Sequence, residues 1–362
     1  MTSSLPIADT PDALTAEWLT AALRTTGTLG PAESVALVTA RPIGTGQMCD
    51  SIRLTLAFDG PSGAPTSVVA KLPAADETSR ATAKALRNYE TEVRFYQHLA
   101  NELPIRTPAV HYADIDVESA RFVLLLEDMA PAGQGDQLAG CTPDVAKIAV
   151  DELVKLHAPR WNDPELSALE WLHRDPAAQR AFLGMLLPGL WDGFRERYAA
   201  RLGPEVHEAG SALFARLGAH LDPSGQPSSI VHGDYRLDNL LFDPTPGGVP
   251  VTVVDWQTCT VGSPLQDVAY FVGAGMLPDD RRLVEVEIVR GYHAGLLANG
   301  VADYPWERCW DDYRRGAWSG LVMALAASML VERTERGDEM FLTMAHRHAQ
   351  HALDPDAVAL LE

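Results

Sequence analysis

Apolar positions recur along this chain with two different periods, and the change from one to the other organises it. Between residues 35 and 73 the period is two: VALVTARP, SIRLTLAF and TSVVAKLP each read as strands, separated by IGTGQMCD and by the turn DGPSGAP. From Ser79 to Leu103 the period lengthens. Ala83, Leu86, Tyr89, Val93, Tyr96 and Leu99 then share one face, which predicts a single amphipathic helix. Val110 to Asp116 and Arg121 to Glu127 return to strand across a VESA turn, and FVLLLE is apolar throughout, as in a central buried strand. Upstream, Thr10-Pro11-Asp12 reads as an N-cap followed by proline in the first helical position. Leu14, Trp18, Leu19 and Leu23 then fall on one face until Gly27.

The segment EDMAPAGQGDQ ends this regularity, with Pro131, Gly133 and Gly135 marking a linker. Helical periods dominate beyond it. Thr142-Pro143-Asp144 starts a helix ending at KLHAPRW, and Pro176 to Leu202 and Pro204 to Leu217 follow as helices. Pro278 to Leu361 reads as helices with loops at Ala298 to Pro305 and at Gly337-Asp338. No internal repeat interrupts the pattern.

Two short stretches in this helical half carry chemistry. SIVHGDYRLDNLLF and VTVVDWQ each bring a carboxylate to the end of a β-branched run: Asp234 in a polar loop, with Asn239 five residues later, and Asp255 after Val254. A loop aspartate on its own commonly does no more than close a turn. Phosphoryl transfer, however, asks for this set: one side chain to orient an acceptor hydroxyl and take its proton, and oxygen ligands for Mg²⁺. Asp234 suits the first role, and Asn239 and Asp255 suit the second.

HGDYRLDNLLF followed by VVDWQTCTVGSPLQDVAYF resembles the catalytic segment of the aminoglycoside phosphotransferase and choline kinase family. Within that family, FYQHLANELPIRTPAVHYADIDVESARFVLLLEDM is most similar to the ecdysteroid-kinase-like and actinobacterial branch. The resemblance implies an α+β, bilobal protein-kinase-like fold. Its N-lobe, residues 1–128, would be an antiparallel sheet with one helix, and its C-lobe, residues 129–362, mainly helical. It also implies ATP and Mg²⁺ as cofactors, Asp234 as catalytic base, and Asn239 and Asp255 on the metal.

Strand, glycine-containing turn, strand, turn and a strand carrying Lys71 is a layout that covers nucleotide phosphates. Gly44 and Gly46 fit the flap, although no third glycine completes a GxGxxG, and an ordinary hairpin turn fits equally. A lysine ending an apolar strand also commonly serves as a solvated edge charge. A kinase-like site needs a glutamate on the following helix to hold that lysine, and Glu90 and Glu92 both qualify by type. Glu92 is preferred for its place beside Val93 and ahead of the Leu103-Pro104 turn, leaving Glu90 to pair with Arg87 or Arg94 on a solvated face. On the resemblance alone, the backbone from Glu127 to Met129 would contact the adenine edge. His157, His232 and Asp267 are expected to brace the catalytic loop by hydrogen bonding.

Composition narrows the setting. The 362 residues are 46% hydrophobic, enough for a substantial core. Acidic residues outnumber basic ones 49 to 29, a net charge of -20, which repels nucleic acid and anionic membranes and allows a cationic acceptor. The start MTSSLPIADT has no basic, apolar leader, and the longest apolar run, Gly316 to Val331, suits a buried helix better than a membrane span. Cys49, Cys141, Cys259 and Cys309 are widely spaced without CxxC, so a reducing cytoplasm is expected. Trp161, Trp171, Trp191, Trp306, Trp310 and Trp318 are available either to a core or to an acceptor pocket.

The function these readings favour is ATP-dependent O-phosphotransfer to a hydroxyl of a small molecule: an antibiotic, sugar, amino alcohol or steroid-like alcohol. A catalytically idle kinase-like module would lack one of Lys71, Glu92, Asp234, Asn239 and Asp255, and none is missing. A metal-dependent hydrolase would want more histidine or carboxylate ligands than His232 adds. Asp234→Asn is expected to lower turnover by roughly two to four orders of magnitude and leave nucleotide affinity near normal. Steady-state kinetics alongside nucleotide titration checks this, and unchanged turnover would remove Asp234 from the chemistry.

Overall fold

A computed structural model of the chain describes residues 5–44, 48–172 and 175–361. The chain forms two compact units. The first comprises Met1–Glu102, Thr107–Ala130 and Asp255–Gln257; the second comprises Leu103–Arg106, Pro131–Val254 and Thr258–Glu362.

The first unit is built on an antiparallel sheet of β1 (Val35–Ile43), β2 (Cys49–Phe58), β3 (Ser67–Pro73), β4 (Val110–Asp116) and β5 (Arg121–Glu127), in the order β1-β2-β3-β5-β4. Its strands alternate as the sequence requires, so each face draws on every second residue. Ile52, Leu54, Leu56, Val68, Ala70, Leu72, Val123 and Leu125 join Trp18, Leu19, Ala22 and Leu23 of helix α1 (Ala16–Thr25) in one core. Lys71 falls between Ala70 and Leu72 and is paired in register with Leu124, so it takes the opposite face.

The helical segment that follows is two helices, not one. Asp76 caps α2 (Glu77–Ala85), accepting from the Ser79 amide at 2.6 Å. Arg87 then takes φ 60, and α3 (Asn88–His98) sets off from it. Neither glycine nor proline marks this break. A tertiary hydrogen bond fixes it instead, from Asn88 Nδ2 to the carbonyl of Gln257 at 3.0 Å. The first helix also starts later than its sequence implies. Thr10-Pro11 leads only a short 3₁₀ turn, Pro11–Ala13, while Thr15 caps α1 through Trp18 N at 3.2 Å.

The second unit contains β6 (Gly133–Gln134), α4 (Pro143–His157), α5 (Pro176–Arg197), α6 (Pro204–Ala215), α7 (Leu217–His220), β7 (Ser229–Val231), β8 (Leu240–Phe242), β9 (Thr252–Val253), β10 (Thr260–Gly262), α8 (Pro264–Gly275), α9 (Pro278–Ala298), α10 (Trp306–Leu330) and α11 (Glu335–Leu353). Strand β7, which leads into HGD, pairs with β10; β9, which leads towards Asp255, belongs to a separate small sheet in the order β6-β8-β9. Helices α5, α6, α8, α10 and α11 share a core that includes Trp191, Phe194, Leu213, Tyr270, Trp318 and Ala345. Trp191 and Trp318 are therefore packing residues. Gly337 and Asp338 lie in the first turn of α11, capped by Thr334, and are not the loop that glycine and aspartate imply. No described helix is long and apolar enough to cross a membrane.

Helix α10 reaches α8 closely because Gly316 has no side chain: a Cβ there would sit 2.7 Å from the carbonyl oxygen of Leu265. Gly316→Val forces two packed backbones apart and is expected to destabilise the protein by about 1–3 kcal/mol, the usual range for overpacking. A lowered urea midpoint at unchanged slope would register it; a wild-type midpoint would show that the helices yield freely.

Candidate active site

In the second unit, the HGD loop is held by its backbone. Asp267, buried on α8, accepts from His232 N at 2.6 Å and from Gly233 N at 2.9 Å, one amide to each carboxylate oxygen. Charge-assisted bonds of this kind are about twice as strong as neutral ones. His157 meets the same carboxylate through Nε2 at 3.3 Å and the Tyr292 hydroxyl through Nδ1 at 2.8 Å. The tautomer of His232 follows from its neighbours: Nδ1 accepts from Asp234 N at 3.3 Å, so Nε2 carries the proton donated to Val254 O at 3.1 Å. Thr258 Oγ1 donates to His232 O at 2.8 Å. Gly233 has φ 81 and passes so near Thr258 that a Cβ would lie 2.6 Å from its carbonyl oxygen, so glycine is required twice over. The bracing expected of His157, His232 and Asp267 is thus present as hydrogen bonds.

This backbone presents Asp234 with its side chain 21% exposed. Oδ1 accepts from the Tyr270 hydroxyl at 2.7 Å, and Oδ2 accepts from Arg236 Nε and from Asn239 Nδ2, each at 3.0 Å. Asn239 Nδ2 also reaches the Asp234 carbonyl at 2.9 Å, which fixes the orientation of the side-chain amide. Arg236 bridges on to Asp238 Oδ2 at 2.8 Å. Gln137 fastens the same turn, its side-chain Oε1 accepting from Leu237 N at 3.0 Å and its backbone N donating to Asp238 Oδ1 at 3.0 Å. Burial pushes the Tyr270 phenol well above its ordinary value, and Asp234 beside it adds to the shift, so Tyr270 is a donor throughout the working range.

The first unit holds a charged cluster. Lys71 Nζ lies 2.6 Å from Glu92 Oε1 and 3.3 Å from Asp255 Oδ1. Glu92 is fully buried because Tyr89, Glu92, Val93 and Tyr96 follow the i, i+3, i+4, i+7 spacing of one helix face. Glu90 faces elsewhere and pairs with Arg87 at 2.8 Å. Trp256 N and Gln257 Nε2 also donate to Glu92, each at 3.3 Å, and the Trp256 indole stacks on Phe95 with centroids 3.7 Å apart. Burial opposes the charge on Lys71, but Asp255 and Glu92 more than reverse that, and the ammonium is held well above its ordinary value. Burial pushes Glu92 upward against the pull of Lys71. Asp255 has φ 68, a left-handed backbone that costs a non-glycine residue roughly 1–2 kcal/mol.

The remaining sequence-predicted positions are less tightly defined. Gly44 follows β1 at φ 75, with no described residue within 4 Å of where a Cβ would stand, and Gly46 lies outside the described residues. Glu127 folds back on Ala109, whose amide donates to Oε2 at 2.9 Å and whose carbonyl accepts from Glu127 N at 2.8 Å. Asp128 is gripped by Arg53 at 2.7 Å and Ser67 at 2.5 Å, which anchors the chain between Glu127 and Met129. Sequence reasoning missed Tyr270, Arg236 and Gln137. Tyr270 was accessible: it follows Asp267 by three residues on a helix, the spacing that places two side chains on one face.

The phosphotransferase enzyme family model, APH, matches residues 63–310, more than half of the chain. Acyl-CoA dehydrogenase family member 11 of Gallus gallus is 25% identical over 170 residues, 46% of this chain and 20% of that protein. Family member 10 of Mus musculus is 43% identical over 80 residues, 22% of this chain and 7% of that protein. The chain thus spans 20% or less of the length of these curated relatives. Among solved structures, the microcompartment-associated aminopropanol kinase is similar at TM-score 0.56 and 15% identity, covering 94% of this chain and 99% of that one. Plasmodium vivax ethanolamine kinase gives 0.53 at 10% identity, covering 94% and 89%. The GDP complex of aminoglycoside 2'-phosphotransferase-IIIa gives 0.51 at 15% identity, covering 92% and 98%. At such identities these likenesses establish the fold, which is α+β and protein-kinase-like.

Removing one partner of a buried ion pair strands the other charge, at a typical cost of 3–5 kcal/mol. Since Asp255 still faces Lys71, Glu92→Ala is expected at the low end, about 3 kcal/mol, and Glu90→Ala at about 1 kcal/mol or less. Chemical denaturation of both variants measures the difference; equal losses would contradict the burial that separates the two glutamates.

Proposed function

The chain belongs to the APH phosphotransferase enzyme family, and from that premise we propose that it is an ATP- and Mg²⁺-dependent O-phosphotransferase acting on a hydroxyl of a small molecule. What supports the reading above all is Lys71, a buried ammonium bonded to Glu92 and in contact with Asp255. Such a charge has little structural use in a sheet that alternation alone would stabilise, and much use beside nucleotide phosphates, where preorganised charge lowers the barrier.

In this reading Asp234 takes the proton of the acceptor hydroxyl, Lys71 holds the phosphates and Glu92 holds Lys71. The oxygen atoms of Asn239 and Asp255 are hard donors of the kind Mg²⁺ selects, with phosphate and water as its other ligands. When bound, Mg²⁺ neutralises charge on the phosphates being transferred. Gly44, with Gly46 by its sequence position, belongs to the flap proposed to cover the phosphates, and the backbone from Glu127 to Met129 meets the adenine edge. Residues 1–128 cover the nucleotide, and residues 129–362 supply the catalytic loop, the metal-holding oxygens and the acceptor region. The four cysteines, all free thiols, accord with a cytoplasmic setting.

The acceptor is a small hydroxylated compound. Amino alcohols and aminoglycosides enter the panel from the names of the structural neighbours, and hydroxylated acyl thioesters from the names of the sequence relatives. ADP release from Mg²⁺·ATP should rise on addition of one of these and should stop when Mg²⁺ is chelated. Asp255→Ala is expected to abolish the strengthening of ATP-analogue binding by Mg²⁺. Calorimetric titration with and without the metal reads this, and retained strengthening would displace Asp255 as a ligand.

A further inference from the structure

The carboxylate of Asp234 accepts at about four lone-pair sites, two on each oxygen. Oδ2 is filled by Arg236 and Asn239, whereas Oδ1 accepts only the Tyr270 hydroxyl among the described residues. One site on Oδ1 is therefore left for an incoming hydroxyl, and it lies next to the Tyr270 phenol.

Tyr270 is itself held in an unusual way. The His348 imidazole lies flat on its ring, with centroids 5.3 Å apart and planes 4° from parallel. His348 is fully buried, and neither ring nitrogen has a hydrogen-bond partner among the described residues. Burial pushes it down to about 3, so the ring is neutral. Two helices give up side chains beside it: a Cβ on Gly320 of α10 would overlap the His348 ring, and one on Gly273 of α8 would meet both His351 Nδ1 and, at 2.7 Å, His348 Nδ1. Orphaned nitrogens and glycines inside helices both weaken a fold. An aliphatic side chain would fill the space without orphaning nitrogens, but it would not offer the phenol a flat face.

We propose that Tyr270 is a positioning residue for phosphoryl transfer: it fixes the rotation of the Asp234 carboxylate so that Oδ1 takes the acceptor's proton, and His348 fixes Tyr270. The inference rests on the reading of Asp234 as the base. As the acceptor oxygen bonds to the γ-phosphorus, the bond from that phosphorus to the β–γ bridging oxygen breaks. ADP leaves with the electron pair, and the acceptor's proton passes to Oδ1. Tyr270 keeps its own proton and directs the orbital that receives the other.

The test uses hydrolysis of Mg²⁺·ATP, with water as the acceptor, in the full chain. Tyr270→Phe keeps the stacked ring and removes only the donor; kcat should fall about tenfold or more, the size of a hydrogen bond to a charged group, while KM for ATP stays within about twofold. In an Asp234→Asn background the same change should alter the residual rate less than about twofold, because there is no base left to orient. His348→Leu should lower kcat in the wild-type background only. A crystal structure of Tyr270→Phe should show the Asp234 carboxylate turned from its wild-type plane. Wild-type kcat in Tyr270→Phe, an equal loss in both backgrounds, or an unmoved carboxylate overturns the proposal. Wild-type turnover in Asp234→Asn alone would sink the base assignment instead.

Discussion

The HGD loop of the second unit depends on the carboxylate of Asp267 receiving two consecutive backbone amides. A loop that leaves a strand and presents a side chain to solvent ordinarily samples many conformations. Here His232 N and Gly233 N are both spent on one buried anion, which is itself steadied by His157 and, behind that, Tyr292. An unpaired buried carboxylate would be intolerable, so the loop and the anion enforce each other's position. Because Tyr270 stands one turn further along the same helix, α8 sets the loop backbone and contacts the Asp234 side chain as well.

The first unit solves a different problem by different means. Its cluster gathers one ammonium and two carboxylates, Lys71, Glu92 and Asp255, and satisfies Glu92 further with Trp256 N and Gln257 Nε2. Packing shields it: Phe95 lies on Trp256, and Cys49 nearby is a buried thiol pushed up to about 12, contributing no charge of its own. Within this cluster Asp255 carries strain, and its left-handed backbone is tolerated because the residues on either side are tied down.

What could be read from the sequence was whatever a short-range rule governs. Period-two alternation put Lys71 on the face away from Val68 and Ala70, and the helical spacing of Tyr89, Val93 and Tyr96 already separates Glu92 from Glu90. The strands of the first sheet were legible within a residue or two for the same reason. The break at Arg87 was not, since its cause is a hydrogen bond between residues 169 positions apart, and no local residue type announces it. Thr10 and Thr15 are equally good caps by type, and Trp18 chooses between them by burying its ring and donating to Pro6 O. Gly337 looked like a loop and is helical because Thr334 captures its amide. Around Asp234, motif and spacing located the loop, but its side-chain partners come from Arg236, Asn239 and a helix that begins thirty residues after Asp234, and only Asn239 belongs to the motif as first read.

Three residues of the first unit, Asp255–Gln257, are supplied from deep in the second half of the chain. They fill the buried space against Phe95, satisfy Glu92 and receive Asn88. A polypeptide ending near residue 130 would contain every strand of the five-stranded sheet and yet be incomplete, with an uncovered aromatic ring and a half-satisfied internal anion. The sheet is therefore not a severable module: ribosomal synthesis must run past residue 257 before it can reach its final state, and any gene fusion or split that separates these halves must carry that tripeptide across.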